Sequence, residues 1–280
     1  MEKRVALLCD SSADISEAEA KELGIHVLRM PIIIDNETFT EGVDIFDEDI
    51  LKALKADKKI STTQPSPGSM LALWDELLKE YDQVLYFPLS SGLSSTCANA
   101  INFARDYQGK VVVIDSTFAC YPIVCMLLMA RDMLGKGYSA EQIKERFEQE
   151  ANMYAILIPE NLNALKNGGR ISPAAAKLAG MLKIHPLLTV ENGKIDVYDK
   201  VRTLSKAYQR GIEAVTKDID PNDYEWMIIH AYNETECLKL KEQLEKAVNS
   251  PVQVREFKAV IASHTGEGTI GFGRYKKLDY

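Results

Sequence analysis

The sequence is short of several things, and each shortage removes a class of function. It has no long apolar run: the most apolar segment, YPIVCMLLMA, is about half of what a bilayer-spanning helix needs and stops at Arg131. Stable membrane insertion is therefore not expected. It has no surplus of positive charge, with 33 Lys and Arg against 41 Asp and Glu and a net charge of −8. Without cations to neutralise phosphates, nucleic acid and anionic membrane surfaces are excluded as main partners. Cysteine is scarce: Cys9, Cys97, Cys120, Cys125 and Cys237 are an odd number with no CxxC pair, and they read as buried thiols. The N-terminus MEKRVALLCDSS has no signal-peptide apolar region, so a cytoplasmic location is expected. The four histidines show no ligand spacing, and no phosphate-binding glycine motif is present. Neither a metal nor a cofactor is expected.

What is present is an ordinary globular composition, 46% hydrophobic and 26% charged, over 280 residues. That length suits two domains. In the first half the apolar runs RVALLC (4–9), HVLRMPIII (26–34), QVLYFPL (83–89) and VVVID (111–115) alternate with helical patterns. Near-continuous strands separated by helices predict a doubly wound parallel sheet in an N-terminal α/β domain, 1–153. The second half, 154–280, mixes strands, helices and a hairpin signal at Glu191-Asn192-Gly193, and predicts an α/β domain with a mixed sheet. A strand ending in AVIAS is expected just before His264.

Four polar loops stand out. The first, Ser90-Ser91-Gly92-Leu93-Ser94-Ser95, follows a strand and precedes a helix. It lacks the second glycine of a nucleophile elbow and the lysine of a phosphate loop. An oxyanion held by hydroxyls and free backbone N–H groups at a helix N-terminus fits it better, and a carboxylate is such a ligand. Asp10 and Asp115 end neighbouring strands on the same edge, where helix capping is the competing explanation. The second loop is Ser61-Thr62-Thr63-Gln64-Pro65-Ser66-Pro67-Gly68, in which a helix cap explains Ser66 and Pro67 but not Thr62, Thr63 or Gln64. In the third, Asn167-Gly168-Gly169-Arg170, a glycine pair places an arginine to aim its fork at an anion. The fourth surrounds His264 with small residues, Ser263-His264-Thr265-Gly266-Glu267-Gly268.

In order and spacing these blocks resemble the DegV family: DSSADI (10–15), TTQPSPG (62–68), SSGLSSTCANA (90–100), GGRIS (168–172) and HTGEGTIG (264–271). The chain departs from the family in having Thr63 where Ser is common and Glu267 where Pro is frequent. The resemblance implies a carrier that buries one long-chain fatty acid in a tunnel between or beneath two α/β domains. It also implies that a separate ATP-binding fatty acid kinase subunit phosphorylates the carboxylate, so that this chain is not itself an enzyme. Carried onto matching positions, Thr62 and Ser94 look like the hydroxyls that hold the carboxylate. Arg170 and His264 look like the polar network that steadies the acyl phosphate, and Arg202 is similar to an arginine that contacts phosphate or kinase. A chain of about sixteen carbons at ~0.8 kcal/mol per CH₂ offers on the order of 10 kcal/mol before ordering costs, enough for a carrier. The runs 123–130 and 178–188 are candidate tunnel lining as well as candidate core. The alternative is a serine esterase or thioesterase built on Ser94 and His264.

Overall fold

The computed structural model describes residues 3–181 and 183–280. Leu182, within one candidate lining run, lies outside the described residues. The chain divides into two compact units, Met1–Phe46 with Thr62–Ala151 and Tyr280, and Asp47–Ser61 with Asn152–Asp279.

In the first unit the strands Ile25–Leu28, Val5–Asp10, Gln83–Phe87 and Val111–Val113 lie side by side in that order, all parallel. Both faces are covered, which is why these strands read as unbroken apolar runs. On one face Ala6, Leu8, Val84 and Tyr86 pack against Trp74 of helix Pro67–Glu80 and Cys97 of helix Thr96–Ala104. On the other, Phe87 meets Phe147 of helix Ala140–Glu150 edge-to-face at 5.2 Å. Helix Pro122–Gly135 buries Ile123, Val124, Met126, Leu127 and Ala130 completely. The run 26–34 is not one strand. It breaks at Arg29-Met30, and Pro31–Ile34 turns away to pair antiparallel with Glu37–Thr40. Parallel strands in one sheet carry all their C-terminal ends to one edge, so Asp10, the serine loop and Asp115 share it.

In the second unit the order is Lys194–Val201, His185–Glu191, Met153–Ile158, Ile270–Lys276, Tyr224–His230 and Val252–Glu256. Neighbours are antiparallel except the last pair, so the sheet is mixed. The hairpin closes at Asn192-Gly193 with both residues at positive φ, the geometry a tight two-residue turn requires. Trp226, Ile228, Phe272, Leu240 and Leu244 form its core with helices Leu204–Val215 and Glu234–Val248. Among the described residues no helix is long and apolar enough to cross a membrane.

One further feature differs from the sequence reading. AVIASHT is a helix, Ala259–Thr265, and not a strand. Its end is capped from far away: the Asp47 carboxylate accepts from the Ala259 N–H and from Lys258 Nζ, both at 2.9 Å. That tether, with the Tyr232 hydroxyl on the Asp47 carbonyl at 2.8 Å, explains why the helix Asp47–Lys55 belongs to the second unit.

Candidate functional site

The serine loop is held mainly by itself, by buried Asp10 and by half-buried Asp115 beyond a neighbouring strand. The Leu89 N–H donates to Asp10 Oδ2 at 2.9 Å, Ser90 N–H to the Phe118 carbonyl at 3.0 Å, and Ser91 N–H to Asp115 Oδ1 at 3.3 Å. Gly92 N–H donates to Ser90 Oγ at 3.2 Å, and Leu93 and Ser94 N–H both reach the Ser90 carbonyl. Every backbone N–H from Leu89 to Ser94 thus has a protein acceptor, so none of these six is a spare donor. A tight, half-buried loop must satisfy its own backbone groups, and here the extra serine does that work. What remains is hydroxyl chemistry. Ser94 Oγ is partly buried, 2.8 Å from Thr96 Oγ1, and accepts from Thr96 N–H at 3.2 Å.

The Thr62 loop lies in the same unit. Thr62, partly buried, ends the short strand Ile60–Thr62, and Thr63 N–H donates to the Pro31 carbonyl at 3.1 Å. Gln64, which capping did not explain, accepts from Asn99 Nδ2 at 2.8 Å and so ties this loop to the helix that begins after Ser94. Ser66 caps its own helix through Ser69 N–H, as the Pro67 signal implies.

Arg170 and His264 come together in the second unit. His264 sits in the last turn of helix Ala259–Thr265, packed over Gly168, where a Cβ would lie 2.5 Å from its Nδ1. Gly168 is glycine because the imidazole occupies the space of a side chain. Arg170 is exposed and its Nη1 donates to the Gly168 carbonyl. Burial, and then the Arg170 charge, push the His264 imidazole down to about 4, so at pH 7 it is neutral. It can offer one ring N–H and no charge, leaving Arg170 as the cation of the pair.

Glu267 does not load His264 with negative charge. It pairs with Lys55 at 3.4 Å. A pocket of about 520 Å³ adjoins this cluster, lined by Asn167, Ser263, Gly266 and Glu267 together with Lys58 and Asn163. Sequence reasoning missed the Asp47–Lys55 helix entirely, although its apolar Ile50 and Ala53 at helical spacing carried the signal. Arg202 sits in the exposed segment before helix Leu204–Val215. An esterase would need a carboxylate to orient His264 and stabilise its imidazolium form. The charge that acts on His264 is a cation, which opposes that form. Cysteine chemistry is disfavoured too: burial pushes the Cys97 and Cys237 thiols up to about 12.

A family model described as uncharacterised protein, DegV family, matches residues 4–277. The chain belongs to the DegV family. A DegV domain-containing protein of Caldanaerobacter subterraneus is 33% identical over 270 residues, covering 95% of this chain and 94% of that one. Among solved structures, a fatty acid binding DegV family protein from Streptococcus agalactiae superposes with a TM-score of 0.86 at 30% identity, covering 99% of this chain and 100% of that chain. DegV from Bacillus subtilis, described as a fatty acid binding protein, gives 0.83 at 29% identity over 99% of this chain and all of its own. The parallel sheet of the N-terminal half and the mixed sheet of the C-terminal half are those of DegV structures.

Proposed function

We propose that this DegV protein binds one long-chain fatty acid in a buried tunnel and presents its carboxylate to a separate ATP-binding fatty acid kinase subunit, without catalysing a reaction alone. The observation that carries the reading is full-length similarity, at about 30% identity, to DegV proteins described as binding fatty acids. In this reading the Ser94 and Thr62 hydroxyls hold the carboxylate, because a buried carboxylate left without donors costs several kcal/mol. Ser94 suits that role: it is partly buried, and its hydroxyl meets the adjacent Thr96 hydroxyl and N–H. Arg170 supplies the positive charge for the phosphoryl group and neutral His264 one hydrogen bond. Arg202, which is exposed, is assigned to contact with the phosphate or the kinase. The carrier acts in the cytoplasm, where a bacterial kinase and its ATP are found.

A kinase-coupled assay on fatty-acid-loaded protein tests the division of labour. Arg170→Ala is expected to lower acyl phosphate formation at least tenfold while changing fatty acid retention little. Equal loss of retention and phosphorylation would remove Arg170 from the phosphoryl role.

A further inference from the structure

The DSS segment that opens the chain's first polar block caps only a three-residue turn, yet it touches every other loop at its edge of the parallel sheet. Asp10 is completely buried, and its two oxygens are divided between two tasks. Oδ1 accepts from the Ser12 hydroxyl and from Ser12 N–H at 3.0 Å, which fixes the carboxylate plane. Oδ2 accepts from Leu89 N–H at 2.9 Å, across 79 positions of sequence. Ser11 Oγ accepts from Met30 N–H at 2.9 Å, and the Ser12 carbonyl accepts from Cys120 N–H at 3.0 Å. The segment is a hub for three loops, and among the described residues its Asp10 arm is the one that reaches the loop that carries Ser94. Leu89 is the point where that loop leaves its strand. Downstream, Ser90 and Gly92 to Ser94 are bonded to one another or to Phe118. Ser91 N–H donates to Asp115 Oδ1 at 3.3 Å, so the loop is a compact unit tied at Leu89, Ser90 and Ser91, with Leu89 as its entry.

We infer that Asp10 is the positioning residue of the carboxylate site, holding the Leu89–Ser94 loop through the Leu89 N–H so that the Ser94 hydroxyl meets the ligand. The inference rests on Ser94 binding the carboxylate, as proposed above. A buried, fully used carboxylate is costly to place, and an anchor that sets a ligand-binding hydroxyl gives it a purpose beyond the turn it caps. Asp10→Asn is the discriminating change. Its Oδ1 can still serve Ser12, but its Nδ2 then faces the Leu89 N–H, donor against donor, and the loop loses its entry anchor.

The test follows release of palmitate from loaded protein by stopped flow for wild type, Asp10→Asn, Ser94→Ala and the double variant. Ser16→Ala serves as a control that removes a helix cap elsewhere in the same unit. Asp10→Asn is expected to release palmitate about tenfold faster, and the double variant no faster than the faster-releasing of the two single variants, because both changes act on one hydroxyl. Ser16→Ala is expected to lower the melting temperature without changing release. Release from Asp10→Asn at the wild-type rate, with Ser94→Ala fast, would overturn the inference alone. Wild-type release from Ser94→Ala would overturn the carboxylate assignment on which it rests. Multiplied effects in the double variant would mean that Asp10 acts only through general stability and would also overturn it. Should Asp10→Asn not fold, Ser12→Ala, which removes one of the two Ser12 bonds that fix the carboxylate plane, is expected to speed release in the same direction, and no change there would count against the role.

Discussion

At the scale of single residues, the informative group is His264. Its imidazole is held down to about 4, against an ordinary value of about 6.5, first by burial and then by Arg170. The unfolded chain then binds a proton before the folded one does. Stability is complete above about pH 6.5 and is lost as the pH falls toward 4, by up to about 3 kcal/mol. Urea unfolding at pH 7 and pH 4.5 should show part of that loss as due to this residue, and His264→Gln should remove that part. An NMR titration of Arg170→Gln should move the His264 midpoint upward, because one of its two depressing causes is gone. Gly168 gives a second handle. Its backbone accepts any residue, but a Cβ 2.5 Å from Nδ1 forces the ring aside. Gly168→Ala should destabilise by about 1–3 kcal/mol and raise the His264 midpoint, read from melting and the same titration.

At the scale of elements, the helix Ala259–Thr265 depends on a cap from another part of the chain. Asp47→Ala removes the acceptor of Ala259 N–H and the partner of Lys258 and should cost about 1–2 kcal/mol. Hydrogen exchange should quicken in both helices, Asp47–Lys55 and Ala259–Thr265; quickening in only one would mean that they are not tied. The same contact shows why this part of the fold was not legible in the sequence. Val260 and Ile261 favour a strand locally, and the carboxylate that overrules them is 212 positions away. The parallel sheet, by contrast, was legible because its strands are buried on both faces and leave an unbroken apolar trace. Of the candidate site, residue identities were readable but the use of the loop's donors was not. Four serines in a row of small residues suggested spare donors, whereas Ser90 and the N–H groups from Leu89 to Ser94 are consumed in folding the loop. Whether an N–H is free is a tertiary property, set here by Asp10, Asp115 and Phe118.

At the scale of the molecule, the candidate residues divide between the units: Thr62 and Ser94 in the first, Arg170, His264 and Arg202 in the second. In the proposed reading the hydroxyls for the carboxylate belong to the first unit and the cation for phosphate to the second. That division matches a carrier whose ligand is bound by one set of groups and modified through another. It also predicts that the sets can be mutated apart, with retention following the hydroxyls and phosphoryl transfer following Arg170. The central claim is that a fatty acid is the ligand and that the two hydroxyls hold it. Native mass spectrometry of protein purified from bacteria tests it directly, comparing wild type with Thr62→Ala/Ser94→Ala. The account predicts wild type carrying the mass of one long-chain fatty acid and a double variant largely without it. Wild type that purifies empty and takes up no added palmitate, or a double variant loaded as fully as wild type, would contradict it.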